Sequence, residues 1–231
     1  MRNNFIVFLI FILIGFNGYS QVKSFRFGVK AAPNLGWISP DSDDIKKDGA
    51  SMGFTWGFIT DVTLTENYFL KTGFDFNYIN GKVTMPYSQT MGSNTDPTPG
   101  TLSRKYNFQY IEIPLSLKMR TNPFGKTALF GCIGLGTSFN LKATSQDEFT
   151  GDDGETASND DNSVKNEVVL VRESLIAGVG IEYFFDNSAS LIVDFSYNYG
   201  LNNIYNFENI VSNEKQKGTL NYFQLNLGIM F

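Results

Sequence analysis

Apolar and polar residues alternate along most of this chain. In the last segment every second position is apolar, at Phe223, Leu225, Leu227, Ile229 and Phe231, and polar or small residues fill the gaps. A period of two residues is typical of a β-strand with one apolar face. Seven earlier segments repeat the pattern, and they begin near residues 25, 54, 68, 111, 129, 175 and 191. The sequence therefore predicts an all-β fold with eight strands.

The connections between these strands alternate in length. Long polar segments follow the first, third, fifth and seventh strands, at about 37–50, 81–104, 142–167 and 201–219. Short turns follow the second, fourth and sixth strands, at 65–67, 122–125 and 186–188. This alternation and the even strand count are typical of outer-membrane barrels. We therefore predict an eight-stranded antiparallel up-and-down transmembrane β-barrel with short periplasmic turns and long extracellular loops.

The N-terminal segment has the layout of a secretory signal peptide. An apolar run from Phe5 to Phe16 follows Arg2, and the small residue Ser20 precedes Gln21. The run is short for a transmembrane helix, which needs roughly 20 residues. We predict that residues 1–20 are cleaved and that residues 21–231 form one barrel domain, integral to the outer membrane. Phe231 would then be the C-terminal signal that the barrel-assembly machinery recognises.

A soluble eight-stranded barrel of lipocalin type is the main alternative, because it alternates equally well but turns its apolar face inward. The less apolar positions carry many glycines and few of the lysines and glutamates that a water-facing surface normally has. Small residues fit a crowded lumen better. A periplasmic ligand carrier of this type stays a minority interpretation.

The predicted lumen face carries five cations and five acids. They are Arg26, Lys30, Lys71, Lys118 and Arg172, and Asp61, Asp75, Glu112, Glu182 and Asp194. Charges enclosed in a narrow barrel must be paired, because an unpaired ion removed from water costs several kcal/mol. Eight strands leave room only for side chains. The sequence predicts a lumen closed by ion pairs, with a proton or solute path as the alternative.

Composition excludes several function classes. The chain contains no histidine, so a Ser-His catalytic arrangement and the commonest metal ligand are absent. A net charge of -5 argues against a nucleic-acid partner. Cys132 is the only cysteine, so no intrachain disulfide can form. We expect a protein that is not an enzyme and has no cofactor.

Two of the long segments hold candidate contact residues. The second contains Tyr87 and Arg104, with Tyr106 just beyond its end, and the third contains the acid pairs Asp152–Asp153 and Asp160–Asp161. Oxygen ligands of this kind suit Ca²⁺, although the spacing does not match an EF-hand. The acidic segment is either a solvated loop or a site where cations bridge to anionic lipopolysaccharide.

Four segments carry a family resemblance. They are YIEIPLSLKMR at 110–120, LIAGVGIEYFF at 175–185, SYNYGLNNI at 196–204 and NYFQLNLGIMF at 221–231. In this order they resemble the PorT-like outer-membrane β-barrel family of Bacteroidota, whose members are small barrels similar to OmpA and OmpX. The resemblance implies a fold and a location. One member is associated with a protein-secretion apparatus, and that role is not carried over to this chain.

The residue Pro114 breaks a local rule inside the first of these motifs. Proline cannot donate a ladder hydrogen bond and is normally confined to sheet edges or bulges. A closed barrel has no edge. We expect a bulge or a parted ladder beside Pro114, with a lumen polar group or a water molecule meeting the unpaired carbonyl.

Two function classes remain. The first is a non-enzymatic barrel, surrounded by outer-membrane lipid and lipopolysaccharide, that binds an unidentified surface ligand or envelope protein through its loops or scaffolds an envelope complex. The second is a narrow pore or transporter for small solutes. An accessory role in protein secretion is a further alternative that only the resemblance suggests.

Overall fold

The computed structural model describes residues 25–90, 96–185, 189–209, 211 and 214–231. The predicted signal peptide and the turn at 186–188 lie outside the described residues. The strands are β1 (Phe25–Pro40), β2 (Lys46–Thr65), β3 (Tyr68–Gln89), β4 (Thr98–Arg120), β5 (Thr127–Gly151), β6 (Thr156–Ser163), β7 (Val171–Phe184), β8 (Ser190–Gly200) and β9 (Gly218–Met230). A 3₁₀ turn covers Lys165–Glu167. Nowhere in the described ranges is there a helix long and apolar enough to span a membrane.

Eight of the strands close a ring. Each strand from β1 to β4 pairs antiparallel with the next, β5 pairs with β7, β7 pairs with β8, β8 pairs with β9, and β9 pairs with β1. This confirms the predicted eight-stranded up-and-down barrel. The ninth strand, β6, lies outside the ring and pairs with the upper part of β5. The end of the barrel with the short turns, Phe25 and Phe231 is called the turn end below, and the opposite end is the loop end.

The apolar face of the strands points outward. Leu225 is 44% exposed, whereas the neighbouring Asn226 is 3% exposed and faces the lumen. The same holds on β4, where the outward side chains are Ile111, Ile113, Leu115, Leu117 and Met119. A soluble barrel with an apolar interior would show the reverse. The inverted arrangement of the minority interpretation is therefore wrong for this part of the barrel.

Exposed tyrosines lie at both limits of this apolar belt. Tyr68 and Tyr183 lie near the turn end, and Tyr78 and Tyr199 lie toward the loop end. Aromatic girdles of this kind mark the two interfaces of a transmembrane barrel. The part of the barrel between the girdles is called the membrane half, and the part above Tyr78 and Tyr199 is the loop half.

The strands continue far beyond the membrane half. β3 extends to Gln89 and β4 begins at Thr98, so most of the segment 81–104 that was predicted as a loop is a paired hairpin. β5 and β6 form a second hairpin in the segment predicted as the third loop. These segments form strands because their inward side chains are apolar and buried in a common core. The polar composition of the segments as a whole did not reveal this core. Members include Ile38, Ile79, Val83, Met85, Leu102, Phe108, Phe149 and Ile204.

The ladder between β3 and β4 is parted at Pro114, as predicted. Thr72 pairs with Leu115 and Asp75 pairs with Glu112, but the two positions between them have no partners, and the register does not shift. The structure therefore shows a gap and no bulge. The Thr72 hydroxyl donates a hydrogen bond to the Pro114 carbonyl at 2.9 Å. This hydroxyl comes from the outward face of β3 and satisfies the carbonyl of Pro114 itself. A lumen polar group or a water molecule at the carbonyl that faces the missing N–H stays a prediction.

Candidate functional site

All ten charges predicted for the lumen lie inside the barrel, and each belongs to an ion pair. The pairs are Lys118–Asp61 at 2.6 Å, Lys30–Asp75 at 2.7 Å, Lys71–Asp194 and Lys118–Glu182 at 3.3 Å, Arg172–Glu112 at 3.5 Å, and Arg26–Glu182 at 2.5 Å. Lys118 and Arg172 are fully buried. The membrane half therefore encloses a cross-linked layer of charge.

An eleventh charge joins this layer. Arg120 lies two residues beyond Lys118 on β4 and forms an ion pair with Glu182 at 3.4 Å. Sequence reasoning missed it, although its spacing from Lys118 places it on the same face of the strand. Glu182 therefore meets three cations near the turn end.

The space left among these side chains is small. A cavity of about 30 Å³ lies between Lys30, Lys71, Asp75, Glu112 and Asp194, and the rest of its lining is a mixture of neutral polar and apolar side chains. A cavity holds a water molecule once roughly 10–15 Å³ is free. The lumen thus has room for one or a few waters and no continuous aqueous channel at this level.

An aromatic layer closes the barrel above the charges. The Tyr106 and Phe108 rings stack with centroids 5.4 Å apart, and Tyr205 packs against Tyr106 at 5.8 Å. Tyr106 is fully buried, so it does not offer the surface contact predicted for it. Burial raises the pKa of Tyr106 to about 12, although the nearby Arg104 guanidinium acts in the opposite direction. Tyr106 is therefore a neutral core residue.

A large open space lies at the loop end, between the β3–β4 and β5–β6 hairpins. This cleft has a volume of about 440 Å³. Leu102, Phe149 and Val164 lie at its buried apolar side. Neutral polar side chains line much of the rest, namely Gln89, Ser158, Asn159, Asn162 and Ser163. Of the predicted contact residues, Tyr87 and Arg104 both line the cleft, and the Tyr87 ring packs edge-on against Phe149 at 6.2 Å.

Arg104 fixes one wall of the cleft. Its Nε and one terminal nitrogen donate to the two carboxylate oxygens of Asp147 at 2.8 and 2.7 Å, and its other nitrogen donates to Glu167 at 2.8 Å. These bonds join β4, β5 and the 3₁₀ turn. Burial disfavours the charge on Arg104, but the interactions with Asp147 and Tyr106 together outweigh burial and raise the pKa of the guanidinium. Arg104 therefore stays charged and holds both acids in place.

A second cavity, of about 150 Å³, shares this wall. It is lined by Tyr87, Arg104 and Glu167 together with residues 207–209 of the segment between β8 and β9. The two cavities thus meet at Arg104, and segments from four parts of the chain surround them.

The predicted acid pairs lie outside the cleft. Asp152 and Asp153 are exposed in the β5–β6 turn. Asp160 and Asp161 lie where the β5–β6 register shifts, opposite Gln146, and Asp161 has a positive φ of 62°. Within the described parts of the chain, no three acidic or cysteine side chains converge as metal ligands would. The acid pairs are separated along the hairpin, and the structure does not bring them into one site.

Phe231 lies at the turn end of the barrel. Its backbone N–H donates to the Phe27 carbonyl at 2.8 Å, and the Phe27 and Phe231 rings are 6.1 Å apart. The C-terminal aromatic side chain is about half exposed and faces outward.

Comparison with known proteins gives one family match. Residues 19–206 match the model of the outer membrane protein β-barrel domain. No curated protein matches the sequence. Among solved structures, OprG from Pseudomonas aeruginosa is 13% identical with a TM-score of 0.44, covering 90% of this chain and 97% of that one. Neisserial surface protein A is 12% identical with a TM-score of 0.43, covering 88% and 95%. The outer membrane protease OmpT from Escherichia coli is 9% identical with a TM-score of 0.36, covering 93% and 99%.

Proposed function

Because the chain belongs to the outer membrane protein β-barrel domain family and lies in the outer membrane, we propose that it is a non-enzymatic binding protein with a plugged lumen. One observation carries the proposal. The free space among the lumen charges is about 30 Å³, whereas the cleft at the loop end offers about 440 Å³. The cleft volume lies within the range of small-molecule sites, roughly 300–1,000 Å³.

The charge of the cleft limits its ligand. Arg104 contributes one positive charge, Asp147 and Glu167 contribute two negative charges, and every other lining residue is neutral. The nitrogens of the Arg104 guanidinium already donate to both carboxylates, so few N–H groups are left for an anionic ligand. Amide and hydroxyl side chains accept and donate hydrogen bonds to neutral polar groups. The ligand that fits is therefore neutral or cationic, for example a sugar or a polyamine.

The carboxylates of this barrel are poorly placed for catalysis. General acid–base catalysis needs a side chain poised to exchange a proton with a substrate. The lumen carboxylates are instead held by cations inside a nearly filled barrel, and the chain has no histidine. The two carboxylates of the cleft are held by Arg104 in the same way.

A narrow pore is the alternative, since the small cavity in the lumen lies among charged residues from several strands. Conductance of the refolded protein in planar bilayers separates the two. We expect no discrete current steps at moderate voltage, because both the ion-paired layer and the aromatic layer block the lumen. Reproducible single-channel steps would contradict the plug and favour the pore.

Binding at the cleft is tested with a steric block. Ala157 lines the cleft from β6, and Ala157→Trp fills part of it; Thr150→Trp puts the same bulk on an exposed residue of β5 outside the lining. The probes are spermidine, maltose and inorganic phosphate, each titrated onto the detergent-solubilised barrel by calorimetry. We expect spermidine or maltose to bind wild type and Thr150→Trp but not Ala157→Trp. Binding of phosphate alone, or binding that Ala157→Trp does not change, would contradict the assignment.

Finer assignments belong to the same proposal. The four motifs support a place among PorT-like barrels of Bacteroidota, and the apolar N-terminus supports cleavage of residues 1–20 as a signal peptide. The exposed C-terminal Phe231 supports recognition by the barrel-assembly machinery. A secretion role rests on the resemblance alone.

A further inference from the structure

The second cavity of the loop end differs from the cleft in the chemistry of its wall. This side cavity is the space of about 150 Å³ between the β3–β4 hairpin and the segment that joins β8 to β9. Half of its lining is apolar, namely Met85, Tyr87, Leu102 and Phe207. In the cleft, amide and hydroxyl side chains line most of the space beyond the apolar side. The two spaces therefore favour different chemical groups.

Two aromatic rings from separate parts of the chain line the side cavity. Tyr87 comes from β3 and Phe207 from the segment between β8 and β9, and both pack against the buried core of the loop half. The Tyr87 ring meets Phe149 edge-on, and the Phe207 ring meets Tyr205 with centroids 5.3 Å apart and planes at 84°. These contacts hold both rings at the wall. Because the face of an aromatic ring attracts cations, the wall favours a positively charged group.

The segment that carries Phe207 is tied to β3 and to the chain that returns to β9. The Asn209 side-chain nitrogen donates to the Pro86 carbonyl at 3.4 Å. The Asn209 N–H donates to the Glu214 carbonyl, and the Phe207 carbonyl accepts from the Gln216 N–H, both at 3.0 Å. The side cavity is therefore formed before any ligand arrives.

The charge around the side cavity is negative. Among its described lining residues Glu167 and Glu208 are acidic and Arg104 is basic, and Arg104 also holds Asp147 of the cleft. Glu208 lies between the side cavity and another open pocket. Its backbone partner Lys215 lines that other pocket, and no ion pair joins the two side chains. One cation thus faces three acids.

Hydrogen-bond acceptors outnumber free donors in this wall. Three N–H groups of Arg104 already donate to acids. Glu167 accepts from Arg104 through Oε2, so its Oε1 and both oxygens of Glu208 have no donor among the described residues. A sugar hydroxyl both donates and accepts, whereas an ammonium group only donates. The wall therefore fits an ammonium group better than a sugar.

We propose that the side cavity binds the ammonium group of an aliphatic diamine or polyamine, against the Tyr87 and Phe207 rings and the carboxylates of Glu167 and Glu208. A cavity of about 150 Å³ holds a molecule the size of benzene, and a short aliphatic diamine is of similar size. The rest of a longer amine lies in the cleft, which meets the side cavity at Arg104. This inference rests on the proposed binding function and narrows its ligand to a cation.

The test measures binding to the full barrel in detergent by calorimetry. The probes are putrescine, spermidine, maltose and butanediol, which has hydroxyl groups in place of the two ammonium groups of putrescine. We expect both amines to bind wild type, and maltose and butanediol not to bind. Glu208→Gln removes a carboxylate and keeps its shape, so it should lower the affinity for both amines about tenfold.

Glu155→Gln is the matched control for this variant. Glu155 is an exposed acid at the same end of the barrel and lines neither cavity. The same change of net charge should therefore leave amine binding as in wild type.

A second pair of variants tests the aromatic wall. Phe207→Leu keeps an apolar side chain but removes the ring, and should weaken amine binding about three- to tenfold. Phe207→Tyr keeps the ring and should bind like wild type. Because Glu208 is exposed, Glu208→Gln stays a valid test even if Phe207→Leu loosens the segment.

Some outcomes would overturn this inference and leave the proposed function intact. They are binding of maltose without binding of either amine, equal binding of butanediol and putrescine, and amine binding that Ala157→Trp abolishes but Glu208→Gln does not change. The last would place the amine in the cleft alone. If neither the amines nor maltose bound wild type, the proposed function would fall, and this inference with it.

Discussion

The membrane half and the loop half of this barrel have opposite interiors. On β4 in the membrane half, Ile113 points outward and Glu112 inward; in the loop half, Phe108 is buried inside and Asn107 faces outward. The change occurs within one strand, without a break in the ladder to β3 at that point. The membrane half is therefore apolar on the outside and charged on the inside. The loop half is polar on the outside and aromatic on the inside.

The surrounding medium explains the difference. In water, burial of apolar side chains drives folding, so the loop half has a core like that of a soluble domain. In lipid an apolar side chain gains nothing by turning inward, and the polar side chains are the ones that must leave the hydrocarbon. Their charges must then pair inside the lumen. The two halves are thus stabilised by different interactions, and different substitutions should break them.

The largest expected effect is in the membrane half, at Lys118. Lys118→Met leaves Asp61 without its ion-pair partner in a fully buried position and removes one of three cations from Glu182. Breaking a buried pair by removing one partner costs about 3–5 kcal/mol. We expect a loss of this size in the free energy of unfolding, measured by urea titration of the refolded barrel.

The double variant Lys118→Met/Asp61→Leu is the control for this prediction. Replacing both members of a buried pair with apolar residues is often close to neutral, so most of the loss should be recovered. A loss below about 1 kcal/mol in the single variant would show that the pair is solvated, and that the membrane half is not held by enclosed charge.

A smaller and more local effect is expected in the loop half, at Ile204. This residue is fully buried in the segment between β8 and β9, and its N–H donates to the Gly218 carbonyl at 2.9 Å. Ile204→Ala keeps the backbone bonds but opens a cavity, at a cost of about 2–4 kcal/mol. We expect faster hydrogen exchange at the amides of Ile204 and Val169, with unchanged resistance of the barrel to detergent without boiling.

Val211→Ala in the same segment is the matched control, because Val211 is about half exposed and its truncation leaves no cavity. It should leave exchange unchanged. If Ile204→Ala instead lowered the heat resistance of the whole barrel as much as Lys118→Met does, the two halves would unfold as one unit, and their interiors would not be independent.

The boundary between the halves could have been predicted from the sequence. In YNFQYIEIPLSLKM, apolar residues fall on Tyr106, Phe108 and Tyr110, and then on Ile111 and Ile113. The alternation shifts phase by one residue at 110–111, although the strand continues. A phase shift that does not end a strand marks the point where the outside changes from water to lipid. The predicted strand included only the alternation that begins at Ile111, so the residues before it were assigned to a loop.

The lumen charges could be predicted from the sequence because the alternation of each strand places them on the inward face. Charges enclosed in a narrow lumen must then be paired. The cleft could not be predicted in this way. Arg104 meets Asp147 and Glu167 at 43 and 63 residues' separation, and the segments that hold these acids have no apolar period that predicts β6 or the 3₁₀ turn. Contacts between polar segments depend on how the hairpins pack against each other above the membrane. A two-residue period shows which face of a strand is apolar, but it contains no information about the packing of hairpins.

The smallest expected effect concerns the parted ladder in the membrane half. Thr72→Val removes the hydroxyl that donates to the Pro114 carbonyl and keeps the side-chain shape. A hydrogen bond contributes about 0.5–1.5 kcal/mol to the stability of a soluble protein, and its loss costs more where lipid offers no replacement donor. We therefore expect a loss of about 1–2 kcal/mol in the free energy of unfolding.

A double-mutant cycle with Pro114→Ala separates this cause from a change in lipid contact. Alanine supplies the N–H that proline lacks, so the β3–β4 ladder is able to close and the carbonyl gains a backbone partner. Thr72→Val should then cost clearly less in the Pro114→Ala background than alone. Equal costs in the two backgrounds would mean that the hydroxyl does not act through the Pro114 carbonyl. The gap would then be held open by Gly73, whose φ of +145° is poorly tolerated by residues with a side chain.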